Sequence, residues 1–137
     1  MKVLIDLNVL LDILQERELH YIDSSAVLSY LLEWNHTVVL PGHAVTTIYY
    51  LLSKYSPSVE VSRVVDWMLQ RFEIVAASKN ILLRARILSM NDFEDAVVAS
   101  CAEAVNCDYI LTRNTKHFFQ SPIQAISPIE FLGLYKK

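Results

Sequence analysis

Five short apolar segments alternate with longer segments of helical periodicity, and this alternation most restricts how the chain can fold. Short segments that are apolar throughout are typical of strands buried on both faces. Strands that alternate with helices form a parallel sheet covered by helices. The sequence therefore predicts a three-layer α/β/α fold with about five short parallel strands. The predicted strands are Lys2 to Ile5, Thr37 to Leu40, Glu73 to Val75, Tyr109 to Leu111 and Ile123 to Ile126.

The segments between these strands carry the helical patterns. Asp23 or Ser24 is the predicted cap of the second helix. The helix over 92–105 is apolar on nearly every side, which predicts deep burial. Segment 112–121 is polar and is predicted to be a loop. The predicted helices cover residues 7–16, 21–34, 43–55, 59–70, 79–88, 92–105 and 128–134.

Length and composition narrow the class of protein. The 137 residues suit one domain, so we expect a single domain over 1–137. No uncharged apolar run reaches the length of a membrane span, which predicts a cytoplasmic protein without a membrane segment. Cys101 and Cys107 are expected to be free and buried. Only two glycines occur, so a glycine-rich phosphate loop is excluded.

The net charge of −3 indicates that the chain lacks the general basic surface of a protein that coats nucleic acid without sequence preference. A nuclease stays possible, because bound cations reverse the sign of an acidic site.

Sites in parallel sheets form at the carboxyl ends of the strands, and three clusters of polar residues follow predicted strands or begin a helix. Asp6 ends the first strand, with Asn8 two residues later. Asp6 could be a helix cap or a ligand. Asp12, one turn further, is expected to be a solvated helix residue.

The second cluster surrounds the start of the buried helix. Asp92 and Asp95 are three residues apart and would share one helix face. Both could cap the helix, but a carboxylate entering a buried helix is costly unless it is paired or holds a metal. Glu94 is expected to face solvent.

The third cluster follows the fourth strand and runs from Thr112 to Lys116. Arg113 and Lys116 could contact phosphates, although an ordinary polar loop is an equal alternative. Carboxylates gathered at one edge of a sheet repel unless a cation joins them. Oxygen ligands favour Mg²⁺ or Mn²⁺, which can activate water toward a phosphodiester.

These clusters resemble the motifs of PIN domains. The stretch from Val3 to Asp12 resembles the family's opening motif. Asp92-Phe93-Glu94-Asp95-Ala96 and the stretch from Tyr109 to Phe118 resemble its closing motifs, and order and spacing agree over nearly the whole chain. The resemblance implies a five-stranded parallel sheet and an Mg²⁺- or Mn²⁺-dependent ribonuclease. Small members are often VapC-like toxins of type II toxin–antitoxin pairs, which commonly dimerise and are inhibited by a small antitoxin.

The resemblance also assigns roles. Asp6, Asp95 and Asp92 match family acids and are the predicted metal ligands and, with Asn114, the catalytic residues. Thr47 stands where the family usually has a helix glutamate, Asn114 replaces the last acid, and His117 occupies a position where related loops often carry aspartate. The predicted substrate-binding residues are Asn8, Thr47, Thr112, Arg113 and Lys116.

Three hypotheses of function remain open. The first is a metal-dependent endoribonuclease that has RNA as its substrate, acts as a toxin, binds an antitoxin partner and forms a homodimer. The second is a catalytically weak PIN-like module that binds RNA or protein, motivated by Thr47. The third is a phosphatase of the haloacid-dehalogenase type, which needs an aspartate where Asn8 stands. Tyr49 and Tyr50 could serve the core or a partner surface.

Overall fold

The computed structural model describes residues 1–135 and has a five-stranded sheet. All four strand pairings are parallel, and the order across the sheet is β3-β2-β1-β4-β5. Helices cover both faces, so the predicted three-layer α/β/α fold is confirmed. The strands are β1 (Lys2–Ile5), β2 (Thr37–Pro41), β3 (Glu73–Val75), β4 (Tyr109–Leu111) and β5 (Ala125–Ile126).

The seven α-helices of residues 1–135 lie where the sequence periodicity predicts them, with ends shifted by a few residues at most. They are α1 (Leu7–Leu14), α2 (Tyr21–Glu33), α3 (Gly42–Ser53), α4 (Ser58–Arg71), α5 (Lys79–Ile87), α6 (Phe93–Ala104) and α7 (Pro128–Tyr135).

Three local predictions were wrong. The α2 helix begins at Tyr21, so Asp23 lies in its first turn and Ser24 is buried, and neither residue is the cap. The segment predicted as a loop contains a 3₁₀ turn at Thr115–Phe118. The last strand has two residues instead of four, because Ser121 accepts a hydrogen bond from the Ile123 amide and so holds the preceding residues in a turn.

The side chains of each inner strand alternate between two cores. Val3 and Ile5 pack into the core beneath α1, α2, α3, α4 and α7, whereas Leu4 packs into the core beneath α5 and α6. This alternation follows from the two-residue period of a strand. Both faces of β1 are therefore buried, which explains its continuous apolar sequence.

The α6 helix confirms the prediction of deep burial. Every residue from Ala96 to Ala102 is buried, and the small side chains allow close approach to the sheet and to α5. The hydroxyl of Ser100 donates a 2.8 Å hydrogen bond to the carbonyl oxygen of Ile81 on α5. Cys101 and Cys107 are free and buried, as predicted.

The strand order creates a crevice at the carboxyl edge. The chain moves from β1 to β2 in one direction, and β4 returns to the opposite side of β1. Connections that leave two neighbouring strands in opposite directions open a gap beyond their carboxyl ends. That gap lies directly above β1 and β4. Within residues 1–135, no helix is long and apolar enough to span a bilayer.

Candidate metal and phosphodiester site

Asp6 follows β1 and enters the gap. Its backbone amide donates a 2.9 Å hydrogen bond to the carbonyl oxygen of Leu111, which extends the pairing of β1 with β4. Asp6 occupies the cap position of α1, but its side chain makes none of the usual capping hydrogen bonds. Its carboxylate instead accepts a 2.8 Å hydrogen bond from the buried Thr112 hydroxyl. The capping hypothesis for this side chain is therefore wrong.

Burial raises the pKa of the Asp6 carboxyl above its ordinary value. The hydrogen bonds from the Thr112 hydroxyl and the Leu7 backbone oppose this rise, as do the nearby charges of Arg113 and His117. A buried carboxylate with a raised pKa binds a cation favourably, since the cation compensates the lost hydration of the charged form.

Asp92 and Asp95 belong to the start of α6. The Asp92 side chain caps the helix and accepts a 3.0 Å hydrogen bond from the Asp95 backbone amide, as the capping hypothesis predicted. The pKa of Asp95 is raised to about 6, first by burial and then by the negative charges of Asp92 and Asp6. His117 Nδ1 lies 3.6 Å from Asp95 Oδ2 and partly offsets this repulsion.

The three acids share one cleft of about 290 Å³. The cleft thus combines residues that follow β1, β2 and β4 with the first turn of α6. It includes six residues predicted from the sequence, and adds two histidines and Glu94. Its polar lining consists of Asp6, Asn8, His43, Thr47, Asp92, Glu94, Asp95, Asn114 and His117.

Two of these residues add to the sequence analysis. Glu94 is exposed, as expected. It also lies at the cleft, and its charge contributes to the raised pKa of Asp95. His43 was not predicted. It stands in the first turn of α3, immediately after the Pro41-Gly42 break at the end of β2, and that position was the available signal.

Thr47 is at the cleft, but its hydroxyl already donates a 2.9 Å hydrogen bond to the His43 carbonyl oxygen. Thr112 is fully buried and contacts Asp6 and the Asn114 amide. The prediction that Thr112 binds substrate is therefore wrong, because it orients the residues that line the cleft.

Arg113 faces another partner. Its Nε lies 2.7 Å from Asp12 Oδ2, and its terminal nitrogens lie 3.2 Å from Asp12 Oδ1 and 3.3 Å from His20 Nε2. Asp12 is completely buried, so the prediction of a solvated helix residue was wrong. Arg113 lines a separate cavity and is committed to this ion pair, which contradicts its predicted phosphate contact. Lys116 is exposed and lines a hollow that adjoins the acidic cleft.

The acids fit a magnesium-type ion better than a fully protein-enclosed metal. Within residues 1–135, no three His, Cys, Asp or Glu side chains are arranged to hold one ion together, so the predicted set of three carboxylate ligands is not preassembled. Asp92 has one oxygen engaged by the helix cap. Mg²⁺ usually keeps several waters and takes only one or two carboxylates, which Asp6 and Asp95 can supply.

The PIN domain family model matches residues 2–116. Ribonuclease VapC1 of Aquifex aeolicus is 28% identical over 135 residues, covering 95% of this chain and 92% of that protein.

Solved structures have the same fold. One is VapBC2 from Rickettsia felis, solved with a DNA fragment from the VapBC2 promoter. It aligns with a TM-score of 0.71 at 20% identity, and the alignment covers 93% of this chain and 98% of that chain. A toxin–antitoxin complex from Klebsiella pneumoniae aligns with a TM-score of 0.70 at 21% identity, covering 92% and 97%. The family match spans most of the chain and includes all three acidic positions, so this chain belongs to the PIN domain family.

Proposed function

We propose that this protein is a divalent-metal-dependent endoribonuclease and acts as the toxin of a cytoplasmic toxin–antitoxin pair. The observation that carries the proposal is the gathering of Asp6 and Asp95 in one cleft. Burial raises the pKa of both carboxyls, and the negative charges of Asp92 and Asp6 raise that of Asp95 further. The similarity to Ribonuclease VapC1 supports the reaction class, and the similarity to a toxin–antitoxin complex supports the biological role.

Asp6 and Asp95 would hold Mg²⁺ or Mn²⁺, with the Asn114 amide oxygen and Asp92 acting through water. The ion, when bound, lowers the pKa of a water molecule and stabilises the leaving oxygen of the phosphodiester. The Thr112 hydroxyl fixes the Asp6 carboxylate by its 2.8 Å hydrogen bond and also accepts a 3.1 Å hydrogen bond from the backbone N–H of Asn114. One buried hydroxyl therefore holds two of the proposed site residues in place.

Asn8 and Thr47 line the same cleft and would contact the substrate strand close to the reacting phosphate. Lys116, in the adjoining hollow, would contact a neighbouring phosphate. Such phosphate contacts position a nucleic acid without reading its sequence.

A second candidate function is a binding module with little turnover. Thr47 favours it, because the hydroxyl donates to the His43 carbonyl and is a poor substitute for a carboxylate ligand. Metal affinity falls as the ligand charge decreases. This candidate predicts retained RNA or antitoxin binding without metal-dependent cleavage.

In the deciding experiment, the protein is incubated with a panel of structured and single-stranded RNAs in the presence of Mg²⁺, Mn²⁺ or EDTA. Asp6→Asn is compared with Asp66→Asn, which changes an exposed carboxylate on α4 outside the cleft. We expect metal-dependent cleavage that Asp66→Asn retains. The cleavage rate of Asp6→Asn should fall by more than the ~10–100-fold that is typical of replacing a residue that only orients a metal ligand.

Cleavage that persists in EDTA, or that Asp6→Asn retains, would refute the role of the acidic site. Binding of RNA by the folded parent without any cleavage would favour the binding module.

We also propose an antitoxin partner and a homodimer. Tyr49 and Tyr50 on α3 are 52% and 61% exposed. Of the two uses that the sequence left open for them, core packing is therefore wrong. Exposed aromatic side chains are enriched in protein interfaces. Light scattering of the purified chain tests the dimer, and a monomeric mass at micromolar concentration would contradict it.

A further inference from the structure

A second hollow, of about 620 Å³, adjoins the acidic cleft. The two cavities share Asp92, Asp95 and His117 as common lining residues. The outer hollow adds Lys116 and Phe119 from the segment after β4. A polymer bound at the acids would therefore continue into the outer hollow without crossing a barrier of protein.

Phe119 has the most exposed aromatic side chain in the described part of the chain, with 91% of its surface accessible. The preceding Phe118 is only 3% exposed and packs in the core beneath α5 and α6. The Ser121 amide donates a 3.0 Å hydrogen bond to the Phe118 carbonyl oxygen, which closes the turn around Phe119. A buried anchor thus holds an exposed aromatic ring at the edge of the hollow.

Single exposed apolar side chains are common on proteins and need no explanation alone. The position of Phe119 is what matters. It lies on the same hollow as an exposed ammonium group, Lys116, and as the acids that form the proposed reaction site. Proteins hold unpaired nucleotides by such an arrangement, in which an aromatic ring lies beside a cation in a groove that follows the nucleic-acid backbone.

We propose that Phe119 stacks on an unpaired nucleobase adjacent to the reacting phosphate, while Lys116 contacts the phosphate of that nucleotide. The favoured substrate is then single-stranded or looped RNA, because paired bases within a helix do not present a free face. This inference rests on the proposed endoribonuclease function and names its substrate class.

The test measures binding separately from cleavage. All variants carry Asp95→Asn and are titrated in EDTA at low ionic strength, which prevents hydrolysis and reduces the negative charge of the cleft. The probe is a short fluorescent oligoadenylate, followed by anisotropy, and a second probe of the same length carries abasic sites. Phe119→Ala is compared with Phe119→Trp and with Tyr55→Ala, which removes an aromatic ring that is 82% exposed beyond the far end of α3.

We expect Phe119→Ala to bind oligoadenylate about 5- to 150-fold more weakly, the loss typical of one stacked base. Phe119→Trp should retain the affinity, and Tyr55→Ala should equal the parent. The abasic strand should bind the parent and Phe119→Ala equally, because it offers no base to stack. A fully paired RNA should compete poorly against oligoadenylate.

Equal affinity of Phe119→Ala and the parent for oligoadenylate would overturn the inference. An equal loss for the abasic strand would overturn it too, since the effect would then be structural. Cleavage assays with Mg²⁺ and intact Asp95 separate the two proposals. If the parent cleaves RNA and Phe119→Ala matches it in KM and in binding, the stacking site fails and the endoribonuclease proposal stands. If the parent does not cleave while binding depends on Phe119, the endoribonuclease proposal fails instead.

Discussion

Replacing Thr112 by valine tests how the buried acid is held. Valine has nearly the same shape, but it removes the hydroxyl that donates to Asp6 Oδ2 over 2.8 Å. It also removes the acceptor for the Asn114 amide, which lies 3.1 Å from Thr112 Oγ1. The Asp6 carboxylate and the Thr112 side chain are buried, so the hydrogen bond lost between them is not fully replaced by solvent.

The magnitude follows from the charge of Asp6. A hydrogen bond to a charged group contributes about 1.5–3 kcal/mol. Loss of that hydrogen bond should therefore raise the pKa of Asp6 further in the variant. The Thr112 hydrogen bond lowers this pKa in the parent, against the larger effect of burial.

The pH dependence has a defined sign. The hydrogen bond favours the charged form, so its contribution is largest above the folded pKa of Asp6 and decreases as the pH falls below it. The difference in unfolding free energy between parent and Thr112→Val should therefore be about 1.5–3 kcal/mol near neutral pH and smaller in acid.

Urea denaturation in EDTA, repeated from acid to neutral pH, measures this difference. Thr112→Ser retains a hydroxyl and should recover most of the stability. Thr37→Val, at the exposed beginning of β2, is the matched control. Isothermal titration with Mn²⁺ should show weaker binding by Thr112→Val at neutral pH. Equal stability of Thr112→Val and parent across the pH range would refute the argument that this hydroxyl supports the charged acid.

Two further predictions concern the other acids. Asp95 has a folded pKa raised to about 6 from an ordinary 3.8, so the stability that it contributes is present below pH 4 and is lost as the pH rises through 6. The melting temperature of the metal-free protein should accordingly fall as the pH rises from 4 to 6, and it should fall less in Asp95→Asn. Parallel plots of melting temperature against pH for the two proteins would contradict the raised pKa of Asp95. Asp12→Ala should lower the urea unfolding free energy by about 3 kcal/mol, the low end for breaking a buried pair, because Arg113 remains partly exposed. If Asp12→Ala lowered the free energy of unfolding by less than the exposed control Asp66→Ala, the stabilising role of the buried ion pair would be contradicted.

The sheet and the position of the site could be predicted because each depends on local sequence. Short apolar strands such as Val3 to Ile5 lie between periodic helices, and parallel strands place their carboxyl ends at one edge. The sequence therefore predicts a common site for Asp6 and Asp95, and both residues line the same cleft. The cap at Asp92 likewise follows from neighbouring sequence. The closeness of His117 to Asp95 was not predicted, because the two residues are far apart in the chain.

The ion pair of Asp12 and Arg113 could not be predicted from local sequence, because its partners are 101 residues apart. A partial signal did exist. The α1 helix is buried at Val9, Leu10 and Leu11 as well as at Asp12, so it has little solvent-facing surface. A charged residue in so apolar a helix requires a partner, but only the folded chain identifies which cation supplies it.

This ion pair gives Arg113 a function that its charge alone does not suggest. The segment after β4 is attached to the β1–α1 segment at two points, through Thr112 with Asp6 and through Arg113 with Asp12. Two attachments in successive residues fix both the position and the direction of the chain that follows. Asn114 comes next and lines the acidic cleft, and the 3₁₀ turn with His117 follows it. The guanidinium therefore acts at a distance from the proposed reaction, by determining where the amide and the imidazole stand relative to Asp6 and Asp95.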